Sequence, residues 1–122
     1  MTTIRDAQRT AWANKVDKKF NTTDVPLEFC LLSSEVAEAF DAWRRGAAPC
    51  RTLRQWLRRR PRPPVRGLGE ELADVAIFLL GLAQMAGVDL QGEVEAKLTK
   101  NAARVYRRQP NGKTHVRTMP DD

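Results

Sequence analysis

Residues 75–83, Val-Ala-Ile-Phe-Leu-Leu-Gly-Leu-Ala, run nine positions without a charged or polar side chain. A helix that is apolar on every face must be buried on most sides, so this stretch predicts a central helix against which the rest of the chain packs. Directly before it stands Glu71-x-x-Asp74. Residues three apart share a helix face, with Cβ atoms about 5–6 Å apart, so two carboxylates point one way at the end of a buried element. A second pair, Glu35-x-x-Glu38, lies in another helical stretch, and Glu35 has no Lys or Arg three or four residues on. An exposed acidic face would explain one such pair. Asp74, however, adjoins the apolar run and is expected to be at least partly buried, and a buried acid needs a partner or a metal. Two such helices face to face would gather Glu35, Glu38, Glu71 and Asp74 into a cage of carboxylate oxygens, which suits hard divalent cations such as Mg²⁺ or Mn²⁺.

Helical periodicity organises most of the remaining chain. Ile4, Gln8, Trp12, Val16 and Phe20 recur every four residues, widened by Ala7 and Ala11, and predict a first helix over about 4–20. Asp24 is a suitable N-cap for a second helix with Pro26 in its first turn. Its expected core face is Leu32, Val36, Phe40 and Trp43, with the acids along the flank and a stop near Gly46. A third helix starts near Gly67 or Gly69 and stops at Gly87. Asp89 caps a fourth that reaches about Tyr106, with the stripe Leu90, Val94, Leu98, Ala102 and Val105. Residues 47–66 form a connection in which 53–57 make a short helix, and Pro61, Pro63 and Pro64 end it. No segment alternates as a strand. The fold class is therefore all-α: an antiparallel bundle of four main helices plus that short one, in a domain spanning 1–108, followed by a mobile tail over 109–122.

The chain of 122 residues fits one domain. It has no run of roughly 20 apolar residues and no basic-then-apolar leader. Cys30 and Cys50 form no C-x-x-C, and both are expected to be reduced, Cys30 as core filler. A cytoplasmic protein without membrane contact is expected. The net charge of +6 is localised. Residues 44–66 hold nine arginines and no acid, and in the remainder 12 basic residues face 15 acidic ones. The basic segment attracts phosphates, of nucleotides or of a polymer.

Beside the stripe of the fourth helix run Lys97, Asn101 and Arg104, on one face by their offsets of four and three. Lys and Arg are cationic donors for phosphate. A solvated basic face is the usual role for such residues. Next to a carboxylate–metal cage they gain a purpose, because a metal-bound triphosphate leaves oxygens the metal does not reach.

The segments Leu31-Leu-Ser-Ser-Glu-Val-Ala-Glu38, Glu70-Glu-Leu-Ala-Asp-Val75 and Lys97-Leu-Thr-Lys-Asn-Ala-Ala-Arg104-Val-Tyr106 resemble the all-α nucleoside triphosphate pyrophosphohydrolases. That superfamily includes MazG-like proteins, dCTP pyrophosphatases and dimeric dUTPases. The resemblance covers about residues 10–106. It implies a homo-oligomer, a dimer or a dimer of dimers, that hydrolyses a (d)NTP to (d)NMP and pyrophosphate with Mg²⁺, or Mn²⁺ in its place, for house-cleaning or dNTP-pool control. Carried over by motif, Glu35, Glu38, Glu71 and Asp74 would bind metal, and Glu35 or Glu38 would act as general base. Lys97, Asn101 and Arg104 would hold phosphates, with help from Tyr106. The 32 residues between Glu38 and Glu71 exceed the usual family spacing, and the excess is the arginine-rich stretch.

Base recognition needs a flat apolar surface, for which Trp12, Trp43, Trp56 and Phe20 are candidates. Trp12 stands out because Lys15 and Lys19 share its helix, whereas Trp43 is expected in the core. A carboxylate-bridged di-iron bundle would need Glu-x-x-His on two helices, and the single histidine, His115, has no acid three residues before it. A nucleic-acid-binding helical protein that grips phosphates with the arginine segment is the alternative function. It leaves the four acids unexplained, and their face would repel nucleic acid.

Overall fold

A computed structural model describes residues 1–46, 67–108 and 114–118. Four helices carry the architecture: α1 (Ile4–Asp17), α2 (Val25–Gly46), α3 (Leu68–Met85) and α4 (Leu90–Ala102). The all-α bundle read from periodicity is the observed fold. The short helix expected over 53–57, the arginine-rich stretch from 47 on, Cys50 and Trp56 lie outside the described residues.

Local chemistry sets the helix ends. Thr3 opens α1 with a capping box: its hydroxyl accepts from the Asp6 amide at 3.1 Å, and the Asp6 carboxylate accepts from the Thr3 amide at 3.2 Å. Asp24 caps α2 by accepting from the Leu27 amide at 3.0 Å. Gly87, at φ +70°, ends the α3 segment in the left-handed region where side chains are strained.

α2 and α3 are antiparallel partners. Glu28 lies against Gly81, and seven residues further along α2 Glu35 meets Asp74, seven residues back along α3. α1 crosses near the C-terminal half of α3. Buried Gln8 fixes that crossing, donating to the Val88 carbonyl at 2.8 Å and to the Gln84 side chain at 3.0 Å. The turn into α4 is tied to the start of α1 by Arg5, which pairs with Asp89 at 2.6 Å. α4 then leaves at 107° to α3. No single described helix is long and apolar enough to cross a membrane.

Several expectations are corrected. α4 stops at Ala102, and Val105–Arg108 forms a strand, β1, antiparallel to Thr114–Thr118, β2. The absence of strands was thus wrong, and Tyr106 sits in β1 rather than in the last turn of a helix. β-branched residues at 105, 114, 116 and 118 favour extended backbone once the helical stripe ends. The predicted core face of α2 is also displaced. Ala39 is buried, but Val36, Phe40 and Trp43 are exposed at 50, 61 and 42 %. Phe40 and Trp43 stack on each other with centroids 6.1 Å apart. Cys30 is exposed rather than core filler. Within α3 only Gly81, Leu82 and Ala83 are buried, and Leu72, Ile77 and Leu79 remain open.

The most buried contact is ionic. Lys15 Nζ donates to Glu28 Oε1 at 2.5 Å, with side chains 9 and 1 % exposed, and Asn21 donates to Glu28 Oε2 at 3.0 Å. Breaking one side of a buried pair leaves an uncompensated charge, at a cost of about 3–5 kcal/mol, while replacing both partners by apolar groups is often near neutral. Glu28→Met should therefore lose about that much stability in urea titrations, and Lys15→Met/Glu28→Met should recover most of it.

Candidate metal centre

The acids of the two motifs converge because α2 and α3 run antiparallel. Glu35 projects from the middle of α2, and Glu71 and Asp74 project from the first turns of α3, one helical step apart. One carboxylate oxygen from each of Glu35, Glu71 and Asp74 lies within 4.8 Å of the other two. Glu35 and Glu71 are half-buried and Asp74 is exposed, so the expectation that Asp74 would be partly buried is corrected. Asp74 lies at the open end of α3, before the segment that α1 and α2 cover.

Glu38 stands outside the group of three but within electrostatic reach of Glu35. The Glu35 carboxyl is held above its ordinary range, first by burial, then by the charges of Glu38, Asp74 and Glu71, and also by a hydrogen bond with Glu38. All four motif acids therefore act on one point. Among the described residues no lysine or arginine pairs with any of them. Three hard oxygen donors without a protein cation form a donor set that suits Mg²⁺ or Mn²⁺.

The other predicted residues are dispersed. Lys97 and Asn101 are exposed on α4, and α4 packs on α1 rather than on α2. Arg104, just past α4, is half-buried, and its Nε and Nη2 are buried without a hydrogen-bond partner. The side chain of Tyr106 lies outside the described part. Trp12 is half-buried on α1. Lys15 is buried and donates to Glu28 Oε1.

Sequence reasoning overlooked Glu28, Asn21 and Gly81. The signal for Glu28 was its place at i−4 from Leu32 and i−7 from Glu35, on the stripe that ends at buried Ala39. Assigning the core face to Leu32, Val36, Phe40 and Trp43, with the acids along the flank, hid it.

A carboxyl whose pKa rises on folding opposes folding once it ionises. That cost is absent below the ordinary carboxylate range and grows as pH rises through the raised value. Glu35→Gln removes it. Metal-free Glu35→Gln should melt above wild type at neutral pH, with the gap closing as the solution is acidified into the ordinary carboxylate range. Calorimetry in chelator across that range checks both the sign and the window.

No protein-family model matches the chain, and none of the curated proteins matches it. Among solved structures it is similar to the cyanophage S-2L MazG-like pyrophosphohydrolase bound to dGDP and three catalytic Mn²⁺ ions per active site. That alignment has 23 % identity, covers 94 % of this chain and 92 % of the other, and gives a TM-score of 0.44.

Proposed function

We propose that the protein is a Mg²⁺-dependent nucleoside triphosphate pyrophosphohydrolase of the MazG-like type, converting a (d)NTP to (d)NMP and pyrophosphate. The observation that carries this reading is the meeting of Glu35, Glu71 and Asp74 within 4.8 Å, from two helices, with no lysine or arginine of the described residues paired to them. The three motif segments that resemble this superfamily support it.

Glu35, Glu71 and Asp74 would hold the metal, with Glu38 beside them. Bound there, Mg²⁺ ions, or Mn²⁺ in their place, polarise phosphoryl oxygens, lower the pKa of water and stabilise the leaving oxygens. Glu38 lies next to the cluster but outside its three oxygens, so it is the carboxylate left to take a proton. Water oxygen bonds to the α-phosphorus, the α–β anhydride bond breaks, the water proton passes to Glu38, and pyrophosphate leaves.

The phosphate tail needs hydrogen-bond donors beyond the acids and their metal. Lys97, Asn101 and Arg104 offer them, and buried donors on Arg104 without partners are costly until an anion arrives. A second copy of the chain would supply these residues. The open apolar side chains of α2 and α3, Val36, Phe40, Trp43, Leu72 and Ile77 among them, form the surface such a homo-oligomer would cover.

In a screen of (d)NTPs, pyrophosphate release should require Mg²⁺ or Mn²⁺, and Asp74→Asn or Glu38→Gln should lower turnover by about 100-fold or more, the order of one lost electrostatic or proton-transfer contribution. Full activity in both variants would remove the assignment. Light scattering should find a dimer or a dimer of dimers. Mixing inactive Glu35→Gln with inactive Lys97→Ala/Arg104→Ala should restore part of the activity, since hybrid assemblies pair intact acids with intact cations. No recovery would place the phosphate residues elsewhere.

A further inference from the structure

Two helical turns from the carboxylates, the same α2–α3 seam opens into a cavity of about 240 Å³. Its walls are mostly apolar, with Phe20, Leu31, Ile77 and Phe78 the largest groups and the Asn14 and Asn21 side chains among them. The Lys15–Glu28 pair also lines it. The pair passes directly over Gly81, where a Cβ would lie in van der Waals contact, 3.4 Å from Lys15 Cδ and 3.9 Å from Glu28 Oε1.

The position of the cavity is as informative as its lining. Glu28 and Glu35 are seven residues apart on α2, and Gly81 and Asp74 are seven apart on α3, so the cavity lies about 10 Å along the seam from the carboxylates. A sugar and its first phosphate bridge such a gap. A planar heterocycle in the cavity would therefore put its phosphates at the acids.

Lys15 is what discriminates. Its ammonium has three donors and no acceptor. Among the described residues Glu28 is the one hydrogen-bond partner of that ammonium. Glu28 has no exposed surface and both its oxygens are occupied, by Lys15 and Asn21. It is a positioning residue that keeps Lys15 aimed. A donor-only group rewards a carbonyl oxygen and gains nothing from an amino group.

We propose that this cavity seats the nucleobase of the substrate and that Lys15 selects bases presenting a carbonyl at the inserted edge (guanine, hypoxanthine, uracil, thymine) over those presenting an amino group there. The inference rests on the nucleotide-hydrolase reading above, and it puts this cavity in place of Trp12 as the base-recognition surface.

Metal-free calorimetric titration with dGMP, dUMP, dAMP, dCMP and ribose 5-phosphate tests it, with Mn²⁺ binding followed in parallel by electron paramagnetic resonance. Wild type should bind dGMP and dUMP about tenfold or more tighter than dAMP and dCMP, the size of one hydrogen bond to a charged group, and should bind ribose 5-phosphate weakest. Ala11→Leu, and separately Ile77→Phe, fill the cavity and should weaken every nucleotide while sparing ribose 5-phosphate and Mn²⁺. Lys15→Met/Glu28→Met should keep nucleotide binding and lose the preference. Equal affinity for all four nucleotides, no measurable nucleotide binding, or cavity-filling variants that fold and bind like wild type would overturn the proposal. Such a result beside intact Mn²⁺ binding and pyrophosphate release would sink the pocket alone. The predicted preference without pyrophosphate release from any NTP would sink the hydrolase reading and leave the pocket standing.

Discussion

The structure turns on mutual repulsion between carboxylates that two antiparallel helices force together. Glu35 from α2 and Glu71 and Asp74 from α3 bring oxygens within 4.8 Å of one another, and Glu38 adds a fourth charge beside Glu35. Helices choose their neighbours to bury apolar surface, so a seam with acids on both sides sacrifices packing. Burial first, and the neighbouring charges of Glu38, Asp74 and Glu71 second, hold the Glu35 carboxyl above its ordinary range. A divalent cation reverses the sign of the repulsion, because each oxygen that repelled its neighbours then shares a ligand.

The same seam explains the other polar contact inside the protein. Above the acids, α1 lays Lys15 across Gly81 onto Glu28. Here the protein provides the cation itself, and at the lower group it does not. The α2 face toward α3 thus carries Glu28 and Glu35, one neutralised internally and one left open, and both lie on the stripe that ends at Ala39.

Much of this was legible in the amino-acid order. Capping at Asp24, the stop at Gly87 and the 3.6-residue period located four helices, and two E-x-x-E/D spacings located the acids. The inward face of α2 was not legible. Hydrophobicity chose Leu32, Val36, Phe40 and Trp43, but the chain turns Val36, Phe40 and Trp43 outward and points acids inward. That rule fails where the interior is a site and the exterior is apolar enough to need cover. The strand pair at 105–108 and 114–118 was also missed, because helical spacing carries on through Val105 while the pairing depends on partners from Thr114 to Thr118 further along the chain.

The most direct test of the central claim is diffraction from crystals grown with Mn²⁺, collected at the manganese absorption edge. The account predicts an anomalous peak bounded by Glu35, Glu71 and Asp74, within about 2.0–2.3 Å of their oxygens, the range of hard-cation ligands. It also predicts that this peak disappears in Asp74→Asn crystals. A fully ordered cluster with no peak in saturating Mn²⁺, or a peak at other residues alone, would contradict it.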